Sequence, residues 1–243
     1  MTEGGLRAGL AEAFGVFLLV FVGGSAICMD YYTASLQSHQ AIGTVGIALA
    51  HGLALMIGVY CSAGISGGHL NPSISFGLFT IGKCSGSRLA VYVLFQLIGG
   101  VLGAVAVMGL FSEYRADAPF LGTPHFITEG DGAISAIKAV GIEALFTFIL
   151  AMVVLLTAVD KGRSAKQMGG LAIGMTVAMI GMIGGFTGGS MNPARYLGPA
   201  LVSGSSTVLS QLPVYLIGPV IGSVIACLIY RFLLETKDET QPA

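Results

Sequence analysis

The sequence predicts an all-α membrane protein with six transmembrane helices and two shorter re-entrant half-helices. Charged residues make up only 9% of the 243 residues, whereas hydrophobic residues make up 54%. Soluble domains carry about 25% charged residues. Long apolar segments recur along the chain, and two short apolar segments each begin with an Asn-Pro pair. Because so few charges cannot cover a water-exposed surface, lipid is the expected solvent.

Six segments are apolar over the roughly 20 residues that a helix needs to cross the hydrocarbon core of a bilayer. They are 7–29, 42–64, 88–111, 138–159, 168–186 and 211–233. Two further stretches, about 70–80 and 192–203, are too short to cross, and each starts with Asn-Pro. Pro is favoured in the first turn of a helix, and irregular backbone is tolerated at membrane depth where it is buried or lines water. These two stretches are therefore predicted to be half-helices.

Positive charges predict the orientation, since cytoplasmic loops are enriched in Lys and Arg. On one side of the membrane are the two tails, the loop near residues 81–87 and the loop near residues 160–167. These segments and their borders hold Arg7, Lys83, Arg88, Lys161, Arg163, Lys166, Arg231 and Lys237. The opposite loops hold only Arg115 and Lys138, beside four acidic residues. Both termini are therefore predicted to be cytoplasmic. A vacuolar or other internal membrane and the plasma membrane are both compatible with this pattern.

The two halves of the chain resemble each other. Residues 67–72 and 188–193 share the pattern Gly-Gly-x-x-Asn-Pro, and Glu12 and Glu143 occupy matching positions in the first and fourth spans. The predicted repeats are about 7–112 and 136–233, within a single domain of residues 1–243. A repeat with three spans inserts upside down relative to its partner, so the half-helices enter from opposite faces. Inverted repeats place the working site at that junction.

Two motifs in these repeats are similar to the paired Asn-Pro-Ala signatures of aquaporins, the major intrinsic proteins. They are Asn71-Pro72-Ser73 and Asn192-Pro193-Ala194-Arg195. The similarity covers nearly the whole chain and points to tonoplast-type and ammonia-permeable aquaporins. It implies the aquaporin-like inverted repeat, a passive pore without cofactor or enzymatic activity, and a homotetramer in lipid. Ser73 departs from the family, which usually has Ala there, but Ser is also small and can cap a helix.

The resemblance implies a role for each Asn of these motifs. Simple N-capping would by itself explain Asn71 and Asn192, since Asn is a common N-cap. In the family, the cap also fixes each side chain so that its amide points into the pore. Each half-helix N-terminus adds about half a positive charge. Together with Arg195, these charges oppose cations, which is the known explanation of selectivity in aquaporin-type pores.

The family's selectivity filter has four positions. Counting along the chain from the two motifs assigns these positions to His51, Ile180, Gly189 and Arg195. Arg195 stands alone in a long uncharged stretch, and a charge within a membrane is costly and usually functional. A structural salt bridge is the alternative for Arg195, and an ordinary core histidine is the alternative for His51. A one-residue gap in a loop would put Gly181 in place of Ile180.

Four further residues receive supporting roles from the resemblance. Glu12 and Glu143 hold the backbone of the two half-helix loops, and Gln96 supports a loop in a similar way. His69 lines the pore wall on the cytoplasmic side. The plain alternatives are helix-end charges for the two Glu residues and an ordinary loop residue for His69.

The predicted permeants are water and ammonia, small neutral solutes, with protons and cations excluded. The filter resembles those of ammonia-permeable aquaporins, and ammonia could accept hydrogen bonds from Arg195 and His51. Glycerol facilitators of the family carry Asp after the filter Arg and a basic residue four positions later. Here these positions hold Tyr196 and Ala200. A channel for glycerol or other small polyols is the alternative, as is a structural or junctional membrane protein with low flux.

Other classes of protein fit the sequence less well. A net charge of −1 gives no sign of nucleic-acid binding. The four His and four Cys are scattered without metal-ligand or nucleophile–base spacing, so no metal site and no enzyme are predicted. A secondary transporter would need acidic ion sites at mid-membrane, whereas Glu12 and Glu143 are expected near the ends of their spans.

Overall fold

The computed structural model describes residues 3–36, 41–160 and 167–236, and these residues form helices and loops without a strand. Six of the helices are long and apolar enough to cross a membrane. The helices are α1 (Glu3–Ser35), α2 (Gly43–Ser66), α3 (Pro72–Thr80), α4 (Gly86–Leu110), α5 (Ala136–Val154), α6 (Gly169–Ile183), α7 (Pro193–Ser203), α8 (Ser206–Ser210) and α9 (Leu212–Ile229). Helices α5 and α9 each continue through a π-helical turn, over Leu155–Val159 and Tyr230–Leu234.

The observed helices confirm the six predicted spans, and α3 and α7 occupy the two short segments that begin with Asn-Pro. Helix α1 extends beyond the predicted 7–29 at both ends, because helical hydrogen bonding continues after the apolar stretch stops. The expected position of Glu12 and Glu143 near the ends of their spans is wrong. Each lies about two turns or more inside its helix, and each is fully buried.

Each half-helix packs against a long helix from the opposite half of the chain. A methyl group at Gly77 of α3 would lie 2.9 Å from Cys227 Sγ of α9. A methyl group at Gly100 of α4 would lie 2.5 Å from the carbonyl oxygen of Ala194 in α7. Contacts this close exclude any side chain at the two glycines, so α3 rests directly on α9 and α7 rests on α4.

Both described ends of the chain lie on one face of the molecule, which we call the terminal face. Lys83, in the loop after α3, donates a hydrogen bond of 2.6 Å to Glu235, which follows α9. Residues near the start of α1 border the same cavity as Arg88 at the start of α4. The predicted cytoplasmic charges Lys161, Arg163, Lys166 and Lys237 lie outside the described residues.

Candidate functional site

The two half-helices meet N-terminus to N-terminus in the middle of the molecule. Asn71 Oδ1 accepts a hydrogen bond from the Ser73 amide at 2.8 Å, and Asn192 Oδ1 accepts from the amides of Ala194 and Arg195 at 3.0 and 3.3 Å. Pro72 and Pro193 occupy the first turns of the two helices, where no intrahelical donor is needed. Both Asn residues are therefore N-caps, as the sequence suggested.

The two caps also join the halves to each other. Asn71 Nδ2 donates to the carbonyl oxygen of Met191, and Asn192 Nδ2 donates to that of Leu70, both at 2.8 Å. Leu70 and Met191 adopt positive φ angles of 50° and 53°, a conformation uncommon for residues other than Gly. Since an amide carries two hydrogens, each Asn keeps one N–H that these bonds do not use.

Asn71 and Asn192 border a narrow chamber with aliphatic side chains from α1, α2, α3, α5 and α6 on its other walls. The chamber offers about 20 Å³ to the centres of water-sized molecules. A cavity must have room for at least one water-sized sphere to hold a water. The chamber therefore admits water next to the amide groups of both caps.

Glu12 holds the loop that leads into α3. Its Oε1 accepts from Ser66 Oγ at 2.5 Å and from the His69 amide at 3.0 Å. Its Oε2 accepts from the Leu70 amide at 2.6 Å and from Gln96 Nε2 at 2.7 Å. All four acceptor positions of the carboxylate are thus occupied by protein donors, which leaves none for a transported ion.

Glu143 makes the equivalent contacts in the second half. It accepts from Thr187 Oγ1 at 2.7 Å and from the amides of Ser190 and Met191 at 3.0 and 2.7 Å. These amides belong to the loop that leads into α7. Because the carboxylate takes up the amide hydrogens of the loop, the loop does not leave unpaired donors at membrane depth.

Arg195 lies buried at the first turn of α7 and has two protein partners on one nitrogen. Its Nη2 donates to the carbonyl oxygen of Gly122 at 2.8 Å and lies 2.9 Å from His51 Nε2. His51 Nδ1 lies 2.8 Å from the carbonyl oxygen of Ile47. Because that carbonyl only accepts, Nδ1 carries the ring proton and Nε2 accepts from Arg195. No salt bridge to Arg195 is present among the described residues.

Ile180 and Gly189 are neighbours in the structure. A methyl group at Gly189 would lie 3.6 Å from Ile180 Cγ2, whereas one at Gly181 would lie 3.0 Å from Ala48 Cβ of α2. Ile180 stands beside Gly189, and Gly181 is a packing position against α2.

Three cavities follow one another along the passage. An outer cavity of about 640 Å³ is bordered by Arg195, and an inner cavity of about 360 Å³ on the terminal face shares Gly68 and His69 with the narrow chamber. His51 and Ile180 lie one turn along α2 and α6 from residues that line the chamber. His51 and Ile180 therefore lie at a level between the chamber and the outer cavity. Of the four candidate filter residues, Arg195 borders the outer cavity, whereas the Ile180 side chain is fully buried.

Some residues of this site were not predicted from the sequence. Gly122 acts through its carbonyl oxygen, which no side-chain pattern reveals. Gly23 of α1 faces the ring of His51 so closely that a methyl group there would lie 2.8 Å from His51 Cε1. Ser66 and Thr187 could have been found, because each is a hydroxyl residue directly before a Gly-Gly pair in the two repeats.

Known proteins are similar to this chain over nearly its whole length. The sequence matches the Major intrinsic protein family over residues 2–230. It is 37% identical to Aquaporin TIP4-4 of Zea mays, with 98% of this chain and 91% of that protein covered. It is 35% identical to Glycerol uptake facilitator protein-like 6 of Lactiplantibacillus plantarum, with 94% and 98% covered. The X-ray structure of the aquaglyceroporin from Plasmodium falciparum superposes with a TM-score of 0.83 at 28% identity, covering 94% of this chain and 96% of that one.

Proposed function

Because this chain belongs to the major intrinsic protein family, whose aquaporins are passive channels and not enzymes, we propose that it conducts water and ammonia and excludes protons and cations. Its six long apolar helices make it an integral, multi-pass membrane protein. The observation that carries the proposal is the narrow chamber, open to water, between the two Asn-capped helix N-termini.

The passage of water follows from the donors around the chamber. Asn71 and Asn192 each have one amide hydrogen beyond the cross-bond. A water in the chamber can accept from both, which turns its oxygen toward the middle and its hydrogens toward the two mouths. A water held in this way cannot donate to the next water through the centre, so a chain of hydrogen bonds that could carry protons is interrupted there.

Cations meet positive potential at two levels. Each half-helix N-terminus contributes about half a positive charge at the chamber, and the Arg195 guanidinium stands between the chamber and the outer cavity. Repulsion by half-helix dipoles and an Arg is the established explanation for aquaporin-type pores, and we adopt it for this chain.

The filter geometry supports ammonia as a second permeant. Ile180, which is fully buried, packs beside Gly189 as an apolar side chain, and Gly189 adds no side chain of its own. Arg195 Nη1 is buried and has no hydrogen-bond partner among the described residues, so we assign it as the donor that a neutral solute would meet in the filter. From the sequence, His51 is expected to donate a hydrogen bond to ammonia as well. In the structure, its Nδ1 bonds the carbonyl of Ile47 and its Nε2 bonds Arg195, so neither ring nitrogen is left for a solute. Arg195 is therefore the proposed donor to ammonia, and His51 orients Arg195.

The second candidate is a channel for glycerol or other small polyols. The similar proteins include a glycerol uptake facilitator and an aquaglyceroporin. Against this candidate, Tyr196 occupies the position after Arg195, is fully buried and stacks on Tyr215 with ring centroids 3.9 Å apart. Tyr196 therefore has a packing role and offers no carboxylate at the outer mouth.

Several further features belong to the proposal. The terminal face, with Arg7, Lys83, Arg88 and Arg231, is the cytoplasmic side. The repeats 7–112 and 136–233 form one channel domain, and four copies assemble as a homotetramer, which would cover part of the apolar surface that single copies expose. The similarity to plant TIP aquaporins favours the vacuolar membrane.

The test is transport by purified protein in vesicles. Stopped-flow light scattering measures water permeability, and an enclosed pH dye measures ammonia entry. We expect both rates to exceed those of empty vesicles, with a low activation energy for water and with ammonia flux following the NH3 fraction as pH rises. Glycerol uptake above that of empty vesicles would support the second candidate. Water flux equal to that of empty vesicles would refute the channel proposal and favour a structural role.

A further inference from the structure

We propose that Gln96 and Ser75 are positioning residues that fix the tautomer of His69, so that His69 presents Nε2–H, and not a bare nitrogen, to the passage. This inference rests on the channel function above. His69 borders both the narrow chamber and the inner cavity, so its ring is a wall of the passage on the terminal face. Which ring nitrogen carries the proton decides whether that wall donates or accepts hydrogen bonds.

The orientation of the Gln96 amide is set by Glu12. The carboxylate accepts four hydrogen bonds, two of them from backbone amides that can only donate. The Leu70 amide takes one acceptor position of Oε2, and the Gln96 amide faces the other. Gln96 Nε2 donates to Oε2 at 2.7 Å, so its NH2 group points toward Glu12 and its oxygen points away, where that oxygen is buried without a hydrogen-bond partner among the described residues.

The same NH2 group fixes the hydroxyl of Ser75. Gln96 Nε2 lies 3.1 Å from Ser75 Oγ, and its second hydrogen is the one that can point there. Ser75 Oγ lies 3.1 Å from His69 Nδ1. Because the hydroxyl accepts from Gln96, its own hydrogen is free to donate to Nδ1. A bare Nδ1 that accepts this hydrogen leaves the ring proton on Nε2.

The second half of the chain shows what the site looks like without a histidine. Ser190 occupies the position that corresponds to His69, and its hydroxyl donates to the carbonyl oxygen of Asn192. The positions that correspond to Ser75 and Gln96 hold Tyr196 and Tyr215, whose rings stack on each other. Glu143 makes the same kind of backbone contacts as Glu12. The chain of hydrogen bonds from Gln96 through Ser75, however, occurs only in the half that carries His69 among the described residues. A half-helix loop can therefore be held without that chain, and we attribute its presence to His69.

The fixed tautomer has a consequence for selectivity. With Nε2 protonated and Nδ1 engaged by Ser75, His69 offers the passage a donor and no lone pair. It can hold the oxygen of a passing water, and it cannot take a proton from that water without breaking its bond to Ser75. The opposite tautomer would place a base in the wall of the passage.

Nitrogen-15 NMR of the full chain in vesicles tests the tautomer directly. Protein labelled on its histidine rings is measured at about pH 8, above the ordinary His pKa of about 6.5, and the His69 signals are assigned by difference against His69→Asn. We expect the parent to show a protonated Nε2 and a bare Nδ1. In Gln96→Met, where Ser75 is free to turn, the fraction with Nδ1 protonated should rise about fivefold, the factor for one neutral hydrogen bond of about 1 kcal/mol.

Two variants of Ser75 test the relay further, and a variant of Ser73 on the same helix is the matched control. Ser75→Ala should shift the His69 Nδ1 resonance, and Ser75→Thr should restore it. Ser73→Ala should leave it unchanged, because Ser73 Oγ is equally buried but has no hydrogen-bond partner among the described residues. A parent with the proton on Nδ1, or unchanged His69 signals in both Gln96→Met and Ser75→Ala, would overturn the proposal. Water flux measured on the same vesicles separates this outcome from a failure of the channel function, since the tautomer is visible whether or not the vesicles conduct.

Discussion

Replacing Asn192 by Ala should weaken both the structure and the conduction of water. The side chain makes three hydrogen bonds, two as the N-cap of α7 and one across the midpoint to the Leu70 carbonyl. Loss of an N-cap costs about 1 kcal/mol, and loss of the cross-bond, which leaves a buried carbonyl unpaired, costs about 1–2 kcal/mol. The variant should therefore lose about 2–3 kcal/mol of stability.

Asn192→Asp separates the cap from the donor. Asp caps a helix about as well as Asn, but its carboxylate cannot donate to Leu70 or to a water in the chamber. We expect this variant to keep most of the cap contribution, yet to lose water flux by about fivefold, the factor for one donor of about 1 kcal/mol. Its negative charge also offsets the positive helix ends, so cation leak should rise. Both variants should retain a cap at Asn71.

Water permeability per inserted molecule and thermal unfolding in detergent are the two measurements. Ser210→Ala serves as the control, since Ser210 is exposed on the short helix α8 and lies outside both motifs. Normal water permeability in correctly inserted Asn192→Ala protein would refute the reasoning. Loss of flux in Asn192→Ala with full flux in Asn192→Asp would assign the effect to the cap alone and contradict the donor role.

The filter, the cysteines and a surface ion pair give three further predictions. The double variant His51→Phe with Ile180→His should lose ammonia flux while keeping water flux, measured in the same vesicles, and unchanged ammonia flux would contradict the filter assignment. Because Gly189 brings no thiol to the filter, mercurials should not block water flux at that position. Inhibition that persists after all four cysteines are removed would contradict this. The cysteines are Cys28, Cys61, Cys84 and Cys227. The hydrogen bond from Lys83 lowers the pKa of the Glu235 carboxyl. The stabilisation by this ion pair is complete above the ordinary pKa and is lost as pH falls through the lowered one. Parent and Glu235→Gln should therefore differ in stability by less than about 1 kcal/mol near pH 7 and converge once the carboxyl is protonated. A stability difference that grows as the pH falls would contradict this.

The half-helices could be predicted from the sequence because their signal is local. An Asn followed by Pro specifies both the cap and the first turn, and its recurrence in an inverted repeat specifies where the two helices meet. The partners of Arg195 could not be predicted in the same way. Gly122 acts through its backbone, and the proton position on His51 depends on Ile47 and Arg195 together.

The distinction between Ile180 and Gly181 shows a second limit. Counting along a chain fails by one residue wherever a loop changes length, and the two neighbours point in different directions on a helix. The structure packs Gly181 against Ala48 and Ile180 beside Gly189, and these contacts cannot be read from a count along the chain. The ends of α1 were misjudged for another reason, since hydropathy reports the apolar part of a helix and not its hydrogen-bonded length.

Each half-helix packs against a long helix of the other half of the chain, and this constrains the order in which the protein can fold during synthesis. Helix α3 is synthesised long before α9, the helix against which Gly77 packs. Until the second half is made, α3 has neither α9 as a support nor the Met191 carbonyl as a partner for Asn71. If synthesis stopped near residue 135, α3 would remain in the membrane without α9, the helix against which it packs. Residues 1–135 made alone should therefore be degraded quickly in cells, and production of the remaining residues from a second gene should protect them.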